Sequence, residues 1–366
     1  MSVDIGIIGL EKSGRTTIFN VLTGMSADTK TYSKENLAPN VGIAKVPDAR
    51  LNILAEIFHP KKIVPAETKY IDIGASIKTL AEGKGISGQL INELSKVDML
   101  LNVVRAFKDD AIPHPDGSIN VKRDIGSMTL ELAFSDLVII EKRLQKIDSS
   151  LKAAKAGDRP AILKEQDLLT RIKKDLENDI PVRDMKLSEE ELKSLANYQF
   201  LTGKPLLIIV NIGEDDLSKS EALRQELEAA FPKCRVAIIC GKLESELMQM
   251  DKKDADEMRH DFGIKESGLD SVLKLSYSQL GLISFLTVGP DECRAWPIQN
   301  GTIALKAAGK IHTDIERGFI RAEVVSYDDL IAAGSLAEAR KRGTLRLEGK
   351  NYVVKDGDVI NFLFNV

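Results

Sequence analysis

The sequence predicts an α/β protein in three parts: a parallel sheet covered on both faces, an inserted α-helical coiled-coil hairpin, and a C-terminal β-grasp module. Three observations lead there. First, short apolar segments at Ile5 to Gly9, Thr68 to Gly74, Val97 to Phe107, Leu206 to Gly213 and Cys234 to Gly241 alternate with helix-like stretches, the pattern of strands buried on both faces. Second, Leu130, Leu137, Leu144 and Leu151 recur every seven residues, and Ala133, Ile140, Ile147 and Ala154 follow three residues behind, an a/d seam. Third, from Ser276 the chain turns β-rich around one helix-like stretch.

Taken in order, Ile5 to Gly9 is a strand and Thr17 to Thr23 continues as a helix. The heptads run to Ala156–Pro160, where AGDRP breaks them; Leu169, Ile172 and Leu176 then carry a returning helix that Pro181 closes. Ser188 with Glu191 is a capping-box start for a third helix. Residues 129–203 are therefore expected to be a hairpin inserted into a domain made of 1–128 and 204–275. In 276–366, ISFLTVG and CRAWPI flank a Gly-Pro-Asp-Glu turn, a helix covers Ile303 to Ile311, and GFIRAEVVSY, TLRLEGKNYVV and VINFLFNV are strands.

Composition removes several function classes. With 51 Lys+Arg against 55 Asp+Glu the net charge is −4, which argues against a charge-driven nucleic-acid binder. One Trp and 5% aromatics make a base-stacking platform a poor fit, and 43% hydrophobic with 29% charged residues argues against global disorder. Cys234, Cys240 and Cys293 form neither a disulfide framework nor a metal-ligand spacing and are expected as free thiols of a cytoplasmic protein. No apolar run has the length of a membrane span, and the N-terminus resembles a buried strand rather than a signal peptide.

The residues that carry chemistry follow the first strand. Gly9-Leu10-Glu11-Lys12-Ser13-Gly14-Arg15-Thr16 has the spacing of G-x-x-x-x-G-K-[ST], with Arg15 in place of lysine, between a strand and a helix. Glycines there let backbone N–H groups curl around phosphate oxygens, the helix N-terminus favours an anion, and the Thr16 hydroxyl can ligate magnesium. The motif marks the sheet as a P-loop NTPase domain or, in the other reading, is a Gly-containing βα turn of a non-nucleotide fold. Asp72 ends a strand and either holds magnesium through water or caps the next turn. Asn211-Ile212-Gly213-Glu214 closes another strand where a guanine site would read Asn-Lys-x-Asp; the missing lysine and the longer acid favour adenine or relaxed base choice. Cys240-Gly241-Lys242 ends the next strand and can present backbone groups to the same base.

Beyond these motifs the chain resembles the YchF / Obg-like ATPase family of translation-factor-class P-loop proteins. The resemblance runs through APNVGIAKVPDARL, PKKIVPAE, VVRAF, GKLESEL, LGLISFLTVG, CRAW and AAGKIHTDIERGFIRAEVV to the C-terminus, over essentially all 366 residues. It implies a nucleotide-binding (G) domain, a helical arm, a C-terminal TGS domain, slow hydrolysis of ATP with Mg2+, and association with the ribosome, through rRNA among other contacts, and no membrane. By position it implies that Lys12, Ser13, Gly14, Arg15, Thr16 and Thr17 wrap the phosphates, that Asn211, Ile212 and Glu214 surround the base with Phe107 near it, that Thr16, Asn36 and Asp72 serve the metal, and that His114 acts in hydrolysis. On its residues alone, His114 equally fits an exposed loop between prolines.

The phosphate loop departs from the family's Pro-Asn-Val-Gly-Lys-Ser, Asn36 stands for the switch threonine, and Ala75 stands for the glycine of Asp-x-x-Gly. Three functions follow: a slow ATPase switch, a pseudo-ATPase ribosome or RNA adaptor, and a GTPase. Lys12 either replaces a monovalent cation near the β–γ bridge or is a solvated substitution.

Overall fold

The computed structural model describes residues 3–25, 39–73, 88–155, 157–264 and 267–365. Its strands are β1 (Asp4–Ile8), β2 (Asn40–Lys45), β3 (Lys62–Val64), β4 (Glu67–Asp72), β5 (Met99–Arg105), β6 (Leu206–Asn211), β7 (Arg235–Ile239), β8 (Leu282–Val288), β9 (Glu292–Gln299), β10 (Phe319–Ser326), β11 (Arg346–Glu348) and β12 (Asp358–Phe364). They form two six-stranded sheets, ordered β2-β4-β1-β5-β6-β7 and β11-β10-β12-β8-β9-β3. The chain divides into two compact units, one of residues 4–42 and 70–269, the other of residues 1–3, 43–69 and 270–366.

In the first unit, β1, β5, β6 and β7 pair in parallel. Every residue of β5 and β6 is buried, which is why these strands are continuous apolar runs. β5 and β6 are neighbours although the helical hairpin lies between them in sequence. The first hairpin helix, Val121–Ala153, starts inside the domain: Ile125 packs with Val104, Ile208 and Val210, and Met128 and Leu132 with Ile8, Leu100 and Leu206. The seam then passes to Ala133, Ile140 and Ile147 against Leu169, Ile172 and Leu176 of the helix Arg159–Glu177. Leu130, expected in the seam, is 46% exposed. The contacts Asp148–Gln166 and Glu141–Lys173 set an antiparallel register in which the returning helix ends opposite Leu137 and leaves Leu130 unopposed. The capping box at Ser188 and Glu191 forms and opens the helix Glu189–Leu195. Asp136, fully buried, accepts from Leu201 N–H (2.8 Å), Thr202 N–H (2.8 Å) and the Thr202 hydroxyl (2.6 Å), and so fastens the long helix to the turn that leads into β6.

In the second unit, β8 and β9 form the expected hairpin, and β12 lies parallel to β8. The helix Ala304–Ile311 covers the sheet through Ala304, Ala307 and Ala308 against Phe285, Val324 and Ile360. A separate cluster joins Leu51 and Leu54 of the helix Ala49–Phe58 to Leu286, Ala295, Val325, Leu330 and Val359.

Three expectations need correction here. Residues 43–69, read as part of the 1–128 domain, belong to this unit, because β3 pairs with β9 and Arg50 bridges Asp48 and Asp356 at 2.8 Å each. More than one helix is present: Thr313–Arg317, Tyr327–Ala333 and Leu336–Lys341 also form, the last two capped by the side chains of Ser326 and Ser335. The segment TLRLEGKNYVV is not one strand; a turn after Glu348 leaves Val353 only a bridge to Ile303.

Among the described residues no helix is long and apolar enough to cross a membrane.

Candidate functional site

β1 ends beneath a loop whose backbone the glycines permit. Gly14 has φ +89°, and a Cβ there would stand 2.3 Å from Asn211 Nδ2 and 3.8 Å from the Phe107 ring. At Gly9 a Cβ would meet the Val103 carbonyl oxygen at 2.4 Å. Gly14 opens the helix Arg15–Thr23, and no side chain caps that end, so the first amides remain directed at the loop, an arrangement suited to an anion. Lys12 sits at φ +61°, a conformation that asparagine or glycine takes more readily than lysine. Its side chain is exposed, and Ser13 is buried in the loop.

Below the loop, the Thr16 hydroxyl donates to Asp72 Oδ2 at 2.9 Å, and Asp72 is fully buried. A hydroxyl beside a carboxylate is a hard oxygen pair that suits Mg2+. Asn36, the third expected metal residue, lies outside the described residues, as do Gly74, Ala75 and Ser76. Arg15 does not take the place of a P-loop lysine over the cup. It is buried, and its Nη1 donates to the Ile73 carbonyl at 2.8 Å, tying the start of the helix to the end of β4. The flat guanidinium is longer than an ammonium and finds this carbonyl beyond the cup.

At the ends of β6 and β7 the structure separates bracing residues from exposed ones. Asn211 is buried; its Nδ2 donates to the Ser13 carbonyl (3.1 Å) and its Oδ1 accepts from Gly241 N–H (3.0 Å), so it locks the phosphate loop to the β7 end. Ile212 is a core residue whose N–H donates to the Ile239 carbonyl. Gly241 starts the helix Gly241–Leu247 directly after Cys240 and lies beside Thr17. Glu214, half-buried, forms an ion pair with exposed Lys242 at 2.9 Å, and this carboxylate holds the Lys242 ammonium above its ordinary range. Phe107 carries the Arg105 guanidinium over its ring at 4.4 Å.

Arg105 and Asp124 are the residues that the sequence did not single out. Arg105 ends the fully buried β5, donates from Nε to the Phe107 carbonyl at 3.1 Å, and shapes the loop that follows. Burial pushes its guanidinium down, partly offset by Asp109. An arginine directly after an apolar strand was the available signal. His114 is not an exposed loop residue: its side chain is 5% exposed, and Nε2 lies 3.0 Å from Asp124 Oδ2. His114 and Asp124 line one small cleft with Leu10, Glu11 and Ser13 of the phosphate loop.

The three cysteines are free thiols, and burial pushes each of them up, which disfavours the reactive thiolate. In the C-terminal unit the basic run is matched by acids: Arg340 pairs with Glu323, and Lys341 and Arg342 with Glu338.

The family model YchF-GTPase_C, described as a protein of unknown function (DUF933), matches residues 282–365. The chain is 40% identical to the ribosome-binding ATPase YchF of Bacillus subtilis (strain 168) over 370 residues, covering 100% of each. It is 37% identical to the protein of the same name from Escherichia coli O157:H7 over 367 residues, again covering 100% of each. Among solved structures it is similar to the Schizosaccharomyces pombe YchF GTPase, with a TM-score of 0.84 and 27% identity over 99% of this chain and 98% of that one.

Proposed function

The chain belongs to the YchF family, and from that premise we propose that it binds ATP at the loop from Gly9 to Thr16, hydrolyses it slowly, and works on the ribosome in the cytoplasm. The observation that carries this is the Thr16–Asp72 hydrogen bond under a glycine-shaped, uncapped helix N-terminus braced by Asn211. In this proposal the loop amides from Lys12 to Thr17 take the phosphates. Thr16 and Asp72, with Asn36, would hold Mg2+, which would supply positive charge to offset that of the phosphates. Phe107 and the backbone at Cys240 and Gly241 receive the base. The Lys242–Glu214 pair occupies the carboxylate that would otherwise accept from guanine, which favours ATP over GTP. The helical hairpin of 129–203 and the TGS domain of 276–366 are the proposed ribosome-contacting parts. With the basic run near Arg340 paired to acids, contact with rRNA phosphates is expected to be modest in its salt dependence.

A second reading has specific support. Arg15 is spent on the Ile73 carbonyl and His114 on Asp124, so the chain can bind ATP and turn it over too slowly to matter, as a pseudo-ATPase adaptor. Titration with ATP, ADP, GTP and GDP followed by single-turnover hydrolysis distinguishes these readings. Tight ATP binding without turnover selects the adaptor, and no binding of either purine removes the nucleotide reading altogether.

Thr16→Ala is expected to remove a metal ligand and the partner of Asp72. ATP affinity in magnesium should fall by about tenfold or more, roughly the 1.4 kcal/mol that a tenfold change represents. Affinity measured in EDTA should change little, so equal losses in both buffers would argue against the metal site. Lys12 places an ammonium on the loop itself, and turnover is therefore expected to be the same in potassium and sodium buffers. Stimulation of the wild-type chain by potassium would remove that role for Lys12.

A further inference from the structure

We propose that Asp124 is the positioning residue that holds His114 in a closed state, and that hydrolysis waits on release of the ring from this carboxylate. The inference rests on the proposed role of His114 in hydrolysis. It starts from the fact that both ring nitrogens are already engaged. Nδ1 accepts the Asp116 N–H at 3.1 Å, which leaves the proton on Nε2, and Nε2–H donates to Asp124 Oδ2 at 3.0 Å. Neither nitrogen is left to accept a proton from water or to donate to a phosphate.

The arrangement differs from a carboxylate that merely orients a catalytic histidine. In that case one ring nitrogen meets the carboxylate and the other faces the reactant. Here the second nitrogen is covered by the chain's own amide, and the two side chains are 5% and 3% exposed. The carboxylate is itself fixed. Its Oδ1 accepts from Arg123 Nε (2.9 Å) and Nη2 (2.8 Å), and Arg123 also donates to the Ser118 carbonyl (2.6 Å) and hydroxyl (3.2 Å). The Asn120 side chain caps the same turn by accepting from Arg123 N–H at 3.1 Å. The closed ring nevertheless lies in the cleft with Glu11 and Ser13, so opening has a short way to go.

Asp124 belongs to the first turn of the 33-residue helix Val121–Ala153, whose far half builds the helical hairpin. At 1.5 Å per residue that helix is about 50 Å long. Release requires the first turn of this helix to move relative to the loop that carries His114. The restraint on hydrolysis is thus carried by the same helix that builds the hairpin.

The test uses the full-length chain with Asp124→Ala, His114→Ala and the double variant, in single-turnover hydrolysis at saturating magnesium ATP. Asp124→Ala is expected to raise the rate by about tenfold, equivalent to about 1.4 kcal/mol, with ATP affinity unchanged. The double variant should be as slow as His114→Ala alone. A slower Asp124→Ala beside a slower His114→Ala overturns the inference and leaves the proposed function intact. Unchanged turnover in His114→Ala overturns the inference together with the role given to that histidine. Asp124→Asn keeps an oxygen for Nε2–H and serves where the alanine variant does not fold; its rate should lie between wild type and alanine. With four histidines in the sequence, imidazole nitrogen NMR on the intact chain reads the contact directly. A slowly exchanging Nε2–H tautomer is expected, lost in Asp124→Ala, and a freely exchanging His114 in the wild-type chain would show that no such restraint exists.

Discussion

Gly14→Ala is expected to lower ATP affinity by at least about 100-fold, close to 2.8 kcal/mol at 1.4 kcal/mol per decade. Two independent costs act at this position. The backbone φ of +89° is strained for any residue with a Cβ, by about 1–2 kcal/mol. The added carbon would also stand 2.3 Å from Asn211 Nδ2, and Asn211 cannot retreat without releasing both the Ser13 carbonyl and Gly241 N–H. The phosphate loop and the β7 end would then separate, so the variant loses the shape of the cup and the base platform together. Calorimetric titration with magnesium ATP is the direct measurement, paired with thermal unfolding to verify that the chain still melts cooperatively. Wild-type affinity in a folded Gly14→Ala chain would mean that the nucleotide does not bind in this loop.

Asp136→Asn is expected to destabilise the domain by about 1–3 kcal/mol, the cost of leaving a buried polar group without its partner. The carboxylate accepts from two backbone amides, those of Leu201 and Thr202, on different oxygens. An asparagine amide group must face one of those N–H groups donor to donor. The effect has a pH signature whose sign follows from burial. Burial pushes the Asp136 carboxyl up to about 6, against the pull of the Thr202 hydroxyl and the two amides. A folded-state value above the unfolded one means that the native chain binds the proton more tightly. The contribution is therefore fully present below the unfolded value near 3.9 and is lost as pH rises through about 6. The protonated form keeps its partners, because its O–H can donate to the Thr202 oxygen 2.6 Å away. Urea unfolding of both chains between pH 4 and 7 should show the wild type losing stability across this window while the variant lacks that slope. A gap between the two that widens as pH rises would reverse the assignment.

Both residues lie where local sequence and long-range packing meet. Gly14 was legible because a strand, a glycine at fixed spacing and a hydroxyl residue require each other within eight positions. Asp136 was not, because it reads as one more polar residue on a helix until the turn at Leu201 folds back onto it. The same division separates Thr16, whose chemistry the motif implies, from Arg15, whose guanidinium leaves the cup for a carbonyl 58 positions away. The Leu130 heptad position was misleading for a related reason. A seven-residue period marks a face of a helix and does not say where the partner helix ends. The helices capped by Ser326 and Ser335 were within reach, since each serine is followed three residues later by an acid, the same kind of signal that identified Ser188.

What the amino-acid sequence determined by itself is therefore the set of local structures: the buried strands, the phosphate loop, the seam of the hairpin and the order of the parts. Each depends on periodicity or on residues within one turn of each other. The tertiary structure alone decided which side chains are spent on one another. Asn211 braces the loop at Ser13 against Gly241, Lys242 holds Glu214, β3 joins the C-terminal sheet, and Asp124 closes on His114. Hydrogen bonds and ion pairs between residues distant in sequence need a defined geometry in space, and composition and spacing carry no record of it.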